Sequence, residues 1–457
     1  MKVIICGAGQ VGYGIARQLA EEQNSVTVID QSPELIQRIG DTLDVKTVVG
    51  HGAHPDVLDR AGAREADMLI AVTFSDEVNM VAAQIAHSLF NVPLKVARVR
   101  AQSYLDPIWR DLFTRDNMPI DVIISPELEV GKAVLARLAN PGTFEAISFA
   151  DQKVKVVGLY LNENCPVVNT PLRQLSELFP DLEATVVGIT RDNHTFVPKR
   201  SDQMLVGDKI YFVSKADQVH RTVDIFGHEE KTARRIIIIG GGNIGLFVAQ
   251  ELEKDPTMRV KVIEVNKTRA EFVADQLSRT VVLCGNGLDE DLLSEAGVED
   301  TEAVVALTNN DETNILASVI AKRGGAVQAV CLINNQTYGG LMDTLGIDTF
   351  IDPRATTVSI ILQHVRRGRI KGLHSIAGGA AEVIEAEALE TSPLVGKPLR
   401  DAKLPDGISI GAIIRGEDVL RPTGDTKIET GDRVIIFAQK EFVRKVEQMF
   451  RVSLEYF

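Results

Sequence analysis

Short apolar runs alternate with amphipathic stretches along the first 125 residues of the chain. In the stretches Val11–Glu21 and Asp76–Leu89, apolar residues recur at the spacing of a helix that buries one face. Short, uniformly apolar strands that alternate with helices are typical of a parallel sheet covered on both faces. This segment therefore predicts a doubly wound α/β sheet with six strands. The predicted strands are Lys2–Cys6, Ser25–Ile29, Val45–Val49, Met68–Val72, Leu94–Val99 and Val122–Ile124.

The same pattern of strands and helices returns in the second half of the chain. The sequence TFSDEVN at 73–79 matches TNNDETN at 308–314, and DVLDRAGA at 56–63 matches DLLSEAGV at 291–298. Matching positions of the two copies lie 233 to 235 residues apart, which indicates a tandem duplication. The second set of predicted strands is Arg235–Ile239, Val260–Glu264, Val281–Cys284, Ala303–Leu307, Ala329–Ile333 and Thr349–Ile351.

Each predicted sheet is followed by one more helix and then by a segment of a different kind. The helices Glu127–Ala139 and Ala355–Arg367 each begin close to a proline, which the first turn of a helix tolerates. After them, TVVGITR at 185–191 aligns with SIGAIIR at 409–415, which is 224 residues further on. Alternating β-branched runs and a Gly-Asp turn predict a small α+β module with an antiparallel sheet.

The chain is therefore predicted to contain a Rossmann unit and a small α+β module, each present twice. A polar run at His228–Lys231 suits a linker between the halves. The predicted segments are a Rossmann unit at 1–125, a crossover helix at 126–143, a small module at 144–226, a linker at 227–233, a second Rossmann unit at 234–352, a second crossover helix at 353–374 and a second small module at 375–457.

The two crossover helices carry apolar residues at helical spacing. Such faces suit packing against a neighbouring domain or a neighbouring subunit. Burial within a single chain explains the same spacing equally well, so both interpretations are open. The residues are Val130, Val134, Leu135 and Leu138 in the first helix, and Val358, Ile361, Leu362 and Val365 in the second.

A glycine-rich turn, called a glycine loop below, follows the first strand of each predicted sheet and opens a helix. In a dinucleotide-binding fingerprint the first glycine makes a tight turn, and the second lets the backbone approach a pyrophosphate. The third lets the helix pack closely on the strand, and the helix N-terminus offers N–H groups to the phosphates. Glycines that only make turns are the competing explanation. The candidate residues are Gly7, Ala8, Gly9, Gln10, Val11 and Gly12 in the first half, and Gly240, Gly241, Gly242, Asn243, Ile244 and Gly245 in the second.

An acidic residue ends the second strand of each sheet, Asp30 in the first half and Glu264 in the second. In dinucleotide-binding sheets this carboxylate accepts hydrogen bonds from the adenosine ribose. A carboxylate also disfavours a 2′-phosphate, so NAD(H) or an adenine nucleotide fits better than NADP. The alternative role is that of an acid that caps the following helix.

Further candidates stand at the carboxyl ends of other strands, where open α/β sheets bind their ligands. His51 and Asn286 follow strand three between two glycines, and Thr73 and Thr308 follow strand four. Contact with a ligand and plain loop formation are both open for these four residues.

The two halves differ in their cations at strand five. The first half has Arg98 and Arg100 there, whereas residues 324–353 of the second half contain no lysine or arginine. Because arginine binds phosphate oxygens well, the first site is expected to bind polyphosphates better. A role as solvated surface residues is the alternative for both arginines.

The composition excludes several classes of function. The chain has 457 residues and a net charge of −14, which argues against nucleic acid as a partner because phosphate binding needs a basic face. The four cysteines are scattered, and no Cys/His cluster indicates a metal site. The first strand begins at Lys2 and no apolar run approaches the ~18–20 residues of a membrane span, so a cytoplasmic protein is expected.

No catalytic constellation stands out beside the two glycine loops. A hydride-transferring enzyme needs an acid or base and a substrate cavity beside the nicotinamide, and the small modules leave little material for one. The sequence shows no positioned Ser/His/Asp set and no Tyr-x-x-x-Lys pair. A ligand-sensing regulator is favoured, and an NAD-dependent oxidoreductase and a scaffold without ligand are the alternatives.

These motifs resemble the RCK/KTN family of domains, which regulate potassium channels and transporters. The resemblance covers essentially the whole chain, and the duplicated order is specific to that family. The motifs that carry it are GAGQVG (7–12), VID (28–30), HPDVLDRAGA (54–63), DMLIAVTFSDEVNM (67–80), ARVR (97–100), GGGNIG (240–245) and ALTNNDETN (306–314), with the paired PL…GD modules.

The resemblance implies a regulator without catalysis, in which the Rossmann units are RCK-N domains and the small modules are RCK-C domains. It implies binding of NAD(H), ADP or ATP, and a homotetramer ring on a membrane-embedded potassium transporter subunit, the Trk pore protein. The protein is then expected on the inner face of the cell membrane through that partner. Position 51 departs from the family, which often has aspartate where this chain has His51. The residues carried over by motif are Gly7–Gly12, Asp30, His51, Thr73, Phe74, Arg98 and Arg100 in the first half, and Gly240–Gly245, Glu264, Asn286, Thr308 and Asn309 in the second.

Overall fold

The described residues of the chain form two parallel and two antiparallel sheets with helices. The computed structural model describes residues 1–179, 182–228, 232–342, 344–365 and 370–450. In chain order, each six-stranded parallel sheet is followed by a five-stranded antiparallel sheet. The α/β fold class predicted from the sequence is confirmed.

The first parallel sheet is the predicted Rossmann unit. Its strands are β1 (Lys2–Cys6), β2 (Ser25–Asp30), β3 (Lys46–Val49), β4 (Met68–Ala71), β5 (Leu94–Arg98) and β6 (Val122–Ile124). Its helices are α1 (Gln10–Glu21), α2 (Pro33–Thr42), α3 (Pro55–Ala61), α4 (Asp76–Ser88) and α5 (Pro126–Leu138). The strand order β3-β2-β1-β4-β5-β6 reverses at β1, as in dinucleotide-binding sheets. Every strand end lies within one residue of its predicted position.

The first antiparallel sheet follows α5. Its strands are β7 (Thr143–Phe149), β8 (Val154–Tyr160), β9 (Ala184–Arg191), β10 (His194–Phe196) and β11 (Lys209–Lys215), in the order β10-β9-β11-β8-β7. Its helices are α6 (Leu172–Leu178) and α7 (Val219–Ile225). The aspartate of the predicted Gly-Asp turn is buried: Asp208 accepts two hydrogen bonds from the guanidinium of Arg191, at 2.8 and 2.7 Å. This bidentate pair anchors the turn before β11.

The second parallel sheet repeats the first. Its strands are β12 (Arg235–Ile239), β13 (Arg259–Glu264), β14 (Val281–Cys284), β15 (Ala303–Ala306), β16 (Gln328–Leu332) and β17 (Thr349–Ile351), in the order β14-β13-β12-β15-β16-β17. Its helices are α8 (Asn243–Leu252), α9 (Lys267–Asp275), α10 (Glu290–Glu295), α11 (Asp311–Arg323) and α12 (Pro353–Val365). The strand ends again lie within one residue of the prediction.

The second antiparallel sheet has the topology of the first. Its strands are β18 (Ile370–Ile376), β19 (Ala381–Glu387), β20 (Ile408–Arg415), β21 (Asp418–Leu420) and β22 (Arg433–Gln439), in the order β18-β19-β22-β20-β21, and α13 (Val443–Met449) follows. Parts of five predicted segments lie outside the described residues. They are 180–181 of the first small module, 229–231 of the linker, 343 of the second Rossmann unit, 366–369 of the second crossover segment and 451–457 of the last module.

Local sequence explains where most helices begin. Ser32, Ser75, Asn266 and Asn310 each accept a hydrogen bond from the backbone N–H three residues further on, at the starts of α2, α4, α9 and α11. Helices α2, α3, α5 and α12 have proline as their first residue, where its missing N–H costs nothing. Helices α1 and α8 follow neither rule, which becomes important at the site.

The first of two compact units combines residues 1–134 with 235–365, so it contains both parallel sheets. Within it, helix α12 of the second half packs on α1 of the first, and Ile361 and Leu362 are buried in the core of the first sheet. In the opposite direction, Gly131 of α5 lies against Phe247 of α8, where a Cβ on the glycine would be 2.3 Å from the ring. The two halves therefore exchange their crossover helices.

This exchange explains the apolar faces of the crossover helices. Val130, Val134, Leu138, Ile361 and Leu362 are each 5% exposed or less, Leu135 and Val358 are partly buried, and the side chain of Val365 lies outside the described residues. Packing inside the chain, with Ile361 and Leu362 against the sheet of the other half, therefore accounts for most of this spacing. Packing against a neighbouring subunit stays a prediction.

The second compact unit is built from residues of 135–234 and 366–457 and contains both antiparallel sheets. The two sheets share one apolar core, in which Tyr211 and Phe437 have ring centroids 6.2 Å apart. Glycines allow this close packing, since a Cβ on Gly188 would lie 2.4 Å from the Phe437 ring and one on Gly411 would lie 2.3 Å from Val213. The small modules, like the Rossmann units, thus pair within one chain.

The exchange of helices predicts that a mutation in the second half weakens the first sheet. Ile361→Ala removes a fully buried side chain from the first core, and we expect the unfolding free energy to fall by about 2–5 kcal/mol. Hydrogen exchange should become faster in β1 and β2. Leu316→Ala, which truncates a half-exposed leucine of α11, is the control and should change little. Loss of protection confined to the second sheet would contradict the exchange.

A second prediction concerns acid stability. Burial, together with Arg137, lowers the pKa of His374 on β18 to about 4. The unfolded chain, whose histidines titrate near pH ~6.5, therefore takes up the proton first as the pH falls. The stability that the neutral imidazole contributes is complete above this pH and is lost progressively between about 6.5 and 4.

Denaturation curves at several pH values test this expectation. His374→Gln should flatten the fall in stability between pH ~6.5 and ~4, whereas His220→Gln, at an exposed histidine of α7, should leave it unchanged. Equal slopes in the two variants would show that His374 does not contribute.

Candidate functional site

The two glycine loops have the same strained geometry at their first residue. Gly7 has φ +115° and Gly240 has φ +108°, in the region that favours glycine. A Cβ on Gly12 would lie 1.8 Å from the carbonyl oxygen of Gly7, and one on Gly245 would lie 2.0 Å from that of Gly240. The backbone of each loop therefore excludes any side chain at these positions.

The middle glycine of each loop faces open space instead. A Cβ on Gly9 or Gly242 would meet no atom within 4 Å. Both residues also have ordinary extended backbone, with φ −65° and −63°. The fold alone does not require glycine here. Room for a ligand that approaches the backbone closely does explain it, so the loops fit a nucleotide.

The helices behind the glycine loops begin without a side-chain cap. Gly9 and Gly242 are the N-caps of α1 and α8, and neither has a side chain that could accept a hydrogen bond. Because the first N–H groups of a helix have no partner inside the helix, they are suited to bind an anion. The first turns contain the predicted residues Gln10, Val11, Asn243 and Ile244.

The two predicted acids brace the glycine loops. One carboxylate oxygen of Asp30 accepts a hydrogen bond from the N–H of Ala8 at 2.7 Å, and the other accepts from the backbone two residues further on. Glu264 makes the same pair of bonds, the first with Gly241 at 2.7 Å. Helix α2 is capped by Ser32 and helix α9 by Asn266, each two residues after the acid, so the acids themselves are not helix caps. Since a carboxylate oxygen accepts more than one bond, the ribose contact stays a prediction.

A buried asparagine ties the ends of strands four and five together in each half. Oδ1 of Asn79 accepts from the N–H and hydroxyl of Thr73 at 2.8 and 2.7 Å, and its amide donates to the carbonyls of Thr73 and Arg98. Asn314 makes the same bonds with Thr308 and with the end of β16. Sequence reasoning missed both asparagines. Their signal was an identical position, six residues after the threonine in both halves.

Arg98 is a buried cation at the carboxyl edge of the first sheet. Its Nη2 donates to the carbonyl oxygen of Thr73 at 2.7 Å, and its guanidinium lies 5.6 Å from the ring centroid of Phe74, which is 85% exposed. Its Nε is buried and has no partner among the described residues. Burial, and to a lesser degree Arg100, lowers the pKa of Arg98. A cation with an unsatisfied donor at this edge fits an anionic ligand.

Arg100 is held by an acid of the crossover helix. Its Nε donates to Oε1 of Glu127 at 2.8 Å, while its side chain is about half exposed. From the sequence, Arg98 and Arg100 are both candidates for binding a phosphate, with a solvated surface role as the alternative. In the structure Glu127 already pairs with Arg100, so a phosphate would have to compete for this side chain.

The residues after strand three shape their own turns. Nδ1 of His51 accepts from the N–H of Ala53 at 3.2 Å, and Oδ1 of Asn286 accepts from the N–H of Leu288 at 3.1 Å. Loop formation is therefore established for both residues. Ligand contact stays a prediction for them, as it does for the exposed Asn309.

The second half carries a cation that sequence reasoning missed. Arg269, in the first turn of α9, donates from Nε to the carbonyl oxygen of Gly241 at 2.7 Å and from Nη2 to Oδ1 of Asn243 at 3.2 Å. The absence of basic residues from 324–353 therefore describes strand five of this half and not its whole site. An alignment of the two halves reveals this cation, because Arg269 stands where the first half has Leu35.

The described part of the chain contains no group of three His, Cys, Asp or Glu side chains placed to hold a metal. Burial raises the pKa of Cys6, at the end of β1, to about 12, so this thiol stays protonated in the core. Across the same described residues, no helix combines the length and the apolarity needed to cross a membrane.

Two Rossmann sheets with glycine loops, each followed by a small antiparallel module, define a chain of tandem RCK-type domains. The TrkA-N domain family matches residues 3–126 and 236–353, and the TrkA-C domain family matches 156–227 and 383–451. The chain belongs to the family of the Trk system potassium uptake protein TrkA. The resemblance seen in the sequence motifs is thereby confirmed.

Relatives of this family match over the full length. The Trk system potassium uptake protein TrkA of Azorhizobium caulinodans is 58% identical over 458 residues, covering 100% of both chains. The protein of the same name from Halomonas elongata is 40% identical over 461 residues, again covering 100% of both. The solved structure of the GsuK channel bound to NAD covers 98% of this chain and 78% of its own, with TM-score 0.61 and 17% identity, which shows a shared fold.

The glycine geometry gives a direct test of the loops. Gly9→Val and Gly242→Val add side chains to open space, so each should change the unfolding free energy by no more than about 0.5 kcal/mol and abolish nucleotide binding at its own loop. Gly12→Ala is the contrasting variant, because its methyl group collides with the Gly7 carbonyl and should destabilise the chain strongly. Thermal denaturation and calorimetric titration with ATP and NADH measure both effects. Unchanged binding in the Gly9→Val/Gly242→Val double variant would exclude the loops as ligand sites.

Proposed function

We propose that this protein is a nucleotide-sensing regulatory subunit that gates a membrane potassium uptake transporter and catalyses no reaction itself. The observation that carries the proposal is that Gly9 and Gly242 lie beside open space. The fold itself does not require glycine at these positions, whereas a nucleotide that approaches the backbone closely would. Full-length identity of 58% to a Trk system potassium uptake protein supports potassium uptake as the process that it regulates.

The proposed ligands are NAD(H), ADP and ATP. The first glycine loop and the start of α1 suit a pyrophosphate, Asp30 suits the ribose, and Arg98 suits a terminal phosphate. The carboxylate of Asp30 opposes a 2′-phosphate, so NADP should bind less well. NAD bound to the GsuK channel, which shares the fold, supports a dinucleotide as one ligand. The remaining site residues, and the second glycine loop with Glu264, are proposed as expected from the sequence.

The proposed assembly is a homotetramer ring that docks on the Trk pore protein at the inner face of the cell membrane. Membership of the TrkA family supports this partner. The seven segments predicted from the sequence are the proposed domain limits, with RCK-N and RCK-C domains alternating along the chain.

Arg98 is the residue best placed to distinguish two nucleotides at one site. A ligand shifts an assembly only by the difference in its affinity between two shapes. Nη2 of Arg98 donates to the carbonyl oxygen of Thr73, and Nε has no partner among the described residues. A γ-phosphate would recruit this guanidinium, and a diphosphate would leave it on Thr73. ADP and ATP would thus drive opposite outcomes from one site.

Potassium flux through the reconstituted complex tests this function. With the pore subunit in vesicles, we expect different flux under saturating ADP and saturating ATP. Arg98→Leu, which installs the side chain that the second half has at the matching position, should weaken ATP binding by about 1.5–3 kcal/mol and ADP binding less. The flux difference between the two nucleotides should shrink accordingly.

Arg17→Leu is the matched control, because Arg17 is an exposed arginine of the same unit, seven residues into α1. It should leave both nucleotide affinities and the flux unchanged. Identical flux in ADP and ATP for the unmutated protein would mean that the nucleotide is structural. Steady consumption of NADH by the isolated chain would show an oxidoreductase instead.

A further inference from the structure

Each of the two sites has an arginine beside its glycine loop, but on opposite sides. Arg98 stands at strand five in the first half, and Arg269 stands after strand two in the second half. Ser32 caps the N–H of Leu35, just as Asn266 caps the N–H of Arg269. Leu35 and Arg269 therefore occupy the same position on the helix that follows strand two. At this position the first half has an apolar side chain and the second half has a cation.

At strand five the two halves differ in the opposite sense. The buried amides of Asn79 and Asn314 donate to the carbonyl oxygens of Arg98 and Leu332, respectively, so these two residues are also equivalent. The first half thus combines arginine at strand five with leucine after strand two. The second half has the reverse arrangement.

Arg269 lies on the strand-two side of the second glycine loop, where it donates to the carbonyl of Gly241 at 2.7 Å. Its guanidinium is 4.8 Å from the ring centroid of Phe272, and both Phe272 and Val265 are exposed apolar side chains. Leu35 in the first half instead packs against the apolar core of its sheet. The second loop therefore has a cation with exposed apolar neighbours on the side of its acid.

In Rossmann sheets the adenosine end of a nucleotide lies at strand two, and the phosphates lie at the helix N-terminus. A guanidinium plane stacks well on aromatic rings, purines included. We propose that the second loop binds the adenosine end of its nucleotide through Arg269, whereas the first loop binds the phosphate chain through Arg98. This inference rests on the proposed function, because both loops must bind adenine nucleotides for it to hold.

The proposal assigns different ligand classes to the two loops. The second loop takes the adenosine monophosphate unit that AMP, ATP and NAD share, with an affinity nearly independent of the number of phosphates. The first loop binds more tightly as phosphates are added. Because Arg269 adds a positive charge on the strand-two side of the second loop, this loop also tolerates a 2′-phosphate better than the first.

Site-blocking variants allow each loop to be measured alone in the full chain. Gly9→Val leaves the second loop and Gly242→Val leaves the first. By calorimetry, the Gly9→Val chain should bind AMP and ATP within about threefold of each other, and the Gly242→Val chain should prefer ATP by at least about tenfold. NADPH should bind worse than NADH by a larger factor in the Gly242→Val chain.

Arg269→Leu in the Gly9→Val chain should weaken AMP and ATP equally, by about five- to thirty-fold. Arg98→Leu in the Gly242→Val chain is the matched variant and should weaken ATP with little effect on AMP. Arg269→Gln, with the unfolding temperature checked for every variant, provides a second substitution if leucine disturbs folding.

Two results separate the failure of this inference from that of the proposed function. Unchanged AMP affinity after both substitutions of Arg269, with ATP still bound, would overturn the division between the loops and leave nucleotide sensing intact. No binding of AMP, ATP or NADH by the unmutated chain would overturn both.

Discussion

One backbone contact, the approach of helix α1 to the turn before it, positions the glycine loop of the first site. Because a Cβ on Gly12 would lie 1.8 Å from the Gly7 carbonyl oxygen, only glycine lets the helix begin so close to β1. That start directs the first-turn N–H groups outward and leaves Gly9 beside open space. It also brings the N–H of Ala8 within reach of Asp30. The second half repeats every element of this arrangement, so the constraint was duplicated together with the loop.

The two halves share the buried residues that hold the loops in place, but they differ in the positions of their arginines. The framework groups, such as Asn79 and Asn314, are fully buried and hydrogen-bonded, and replacing either would leave several backbone partners unsatisfied. The arginines at the edge of each sheet bond to single carbonyl groups or to polar neighbours. Leu332 stands where the first half has Arg98, and this replacement leaves no buried hydrogen-bond network without its partners. Two sites with one geometry could therefore diverge in ligand preference.

The positions of the strands follow from sequence because buried parallel strands are uniformly apolar and are bounded by glycines and polar residues. The exchange of crossover helices does not, since the spacing of Ile361 and Leu362 shows that one face is buried and not which surface buries it. The pairing of Arg100 with Glu127 joins residues 27 apart and leaves no pattern in the sequence. Arg269 stands outside strand five, where the halves differ most visibly, so only a full alignment of the halves reveals it.

The exchanged helices also affect how the chain is completed during its synthesis. The core of the first sheet includes Ile361 and Leu362, so it stays unfinished until α12 has emerged from the ribosome. Roughly 215 residues separate α5 from α12, which at ~5–20 residues per second takes on the order of 10–40 s. Throughout that interval the part of the first core that α12 covers in the finished protein stays exposed. Neither half of this duplicated protein can mature before the other has been made.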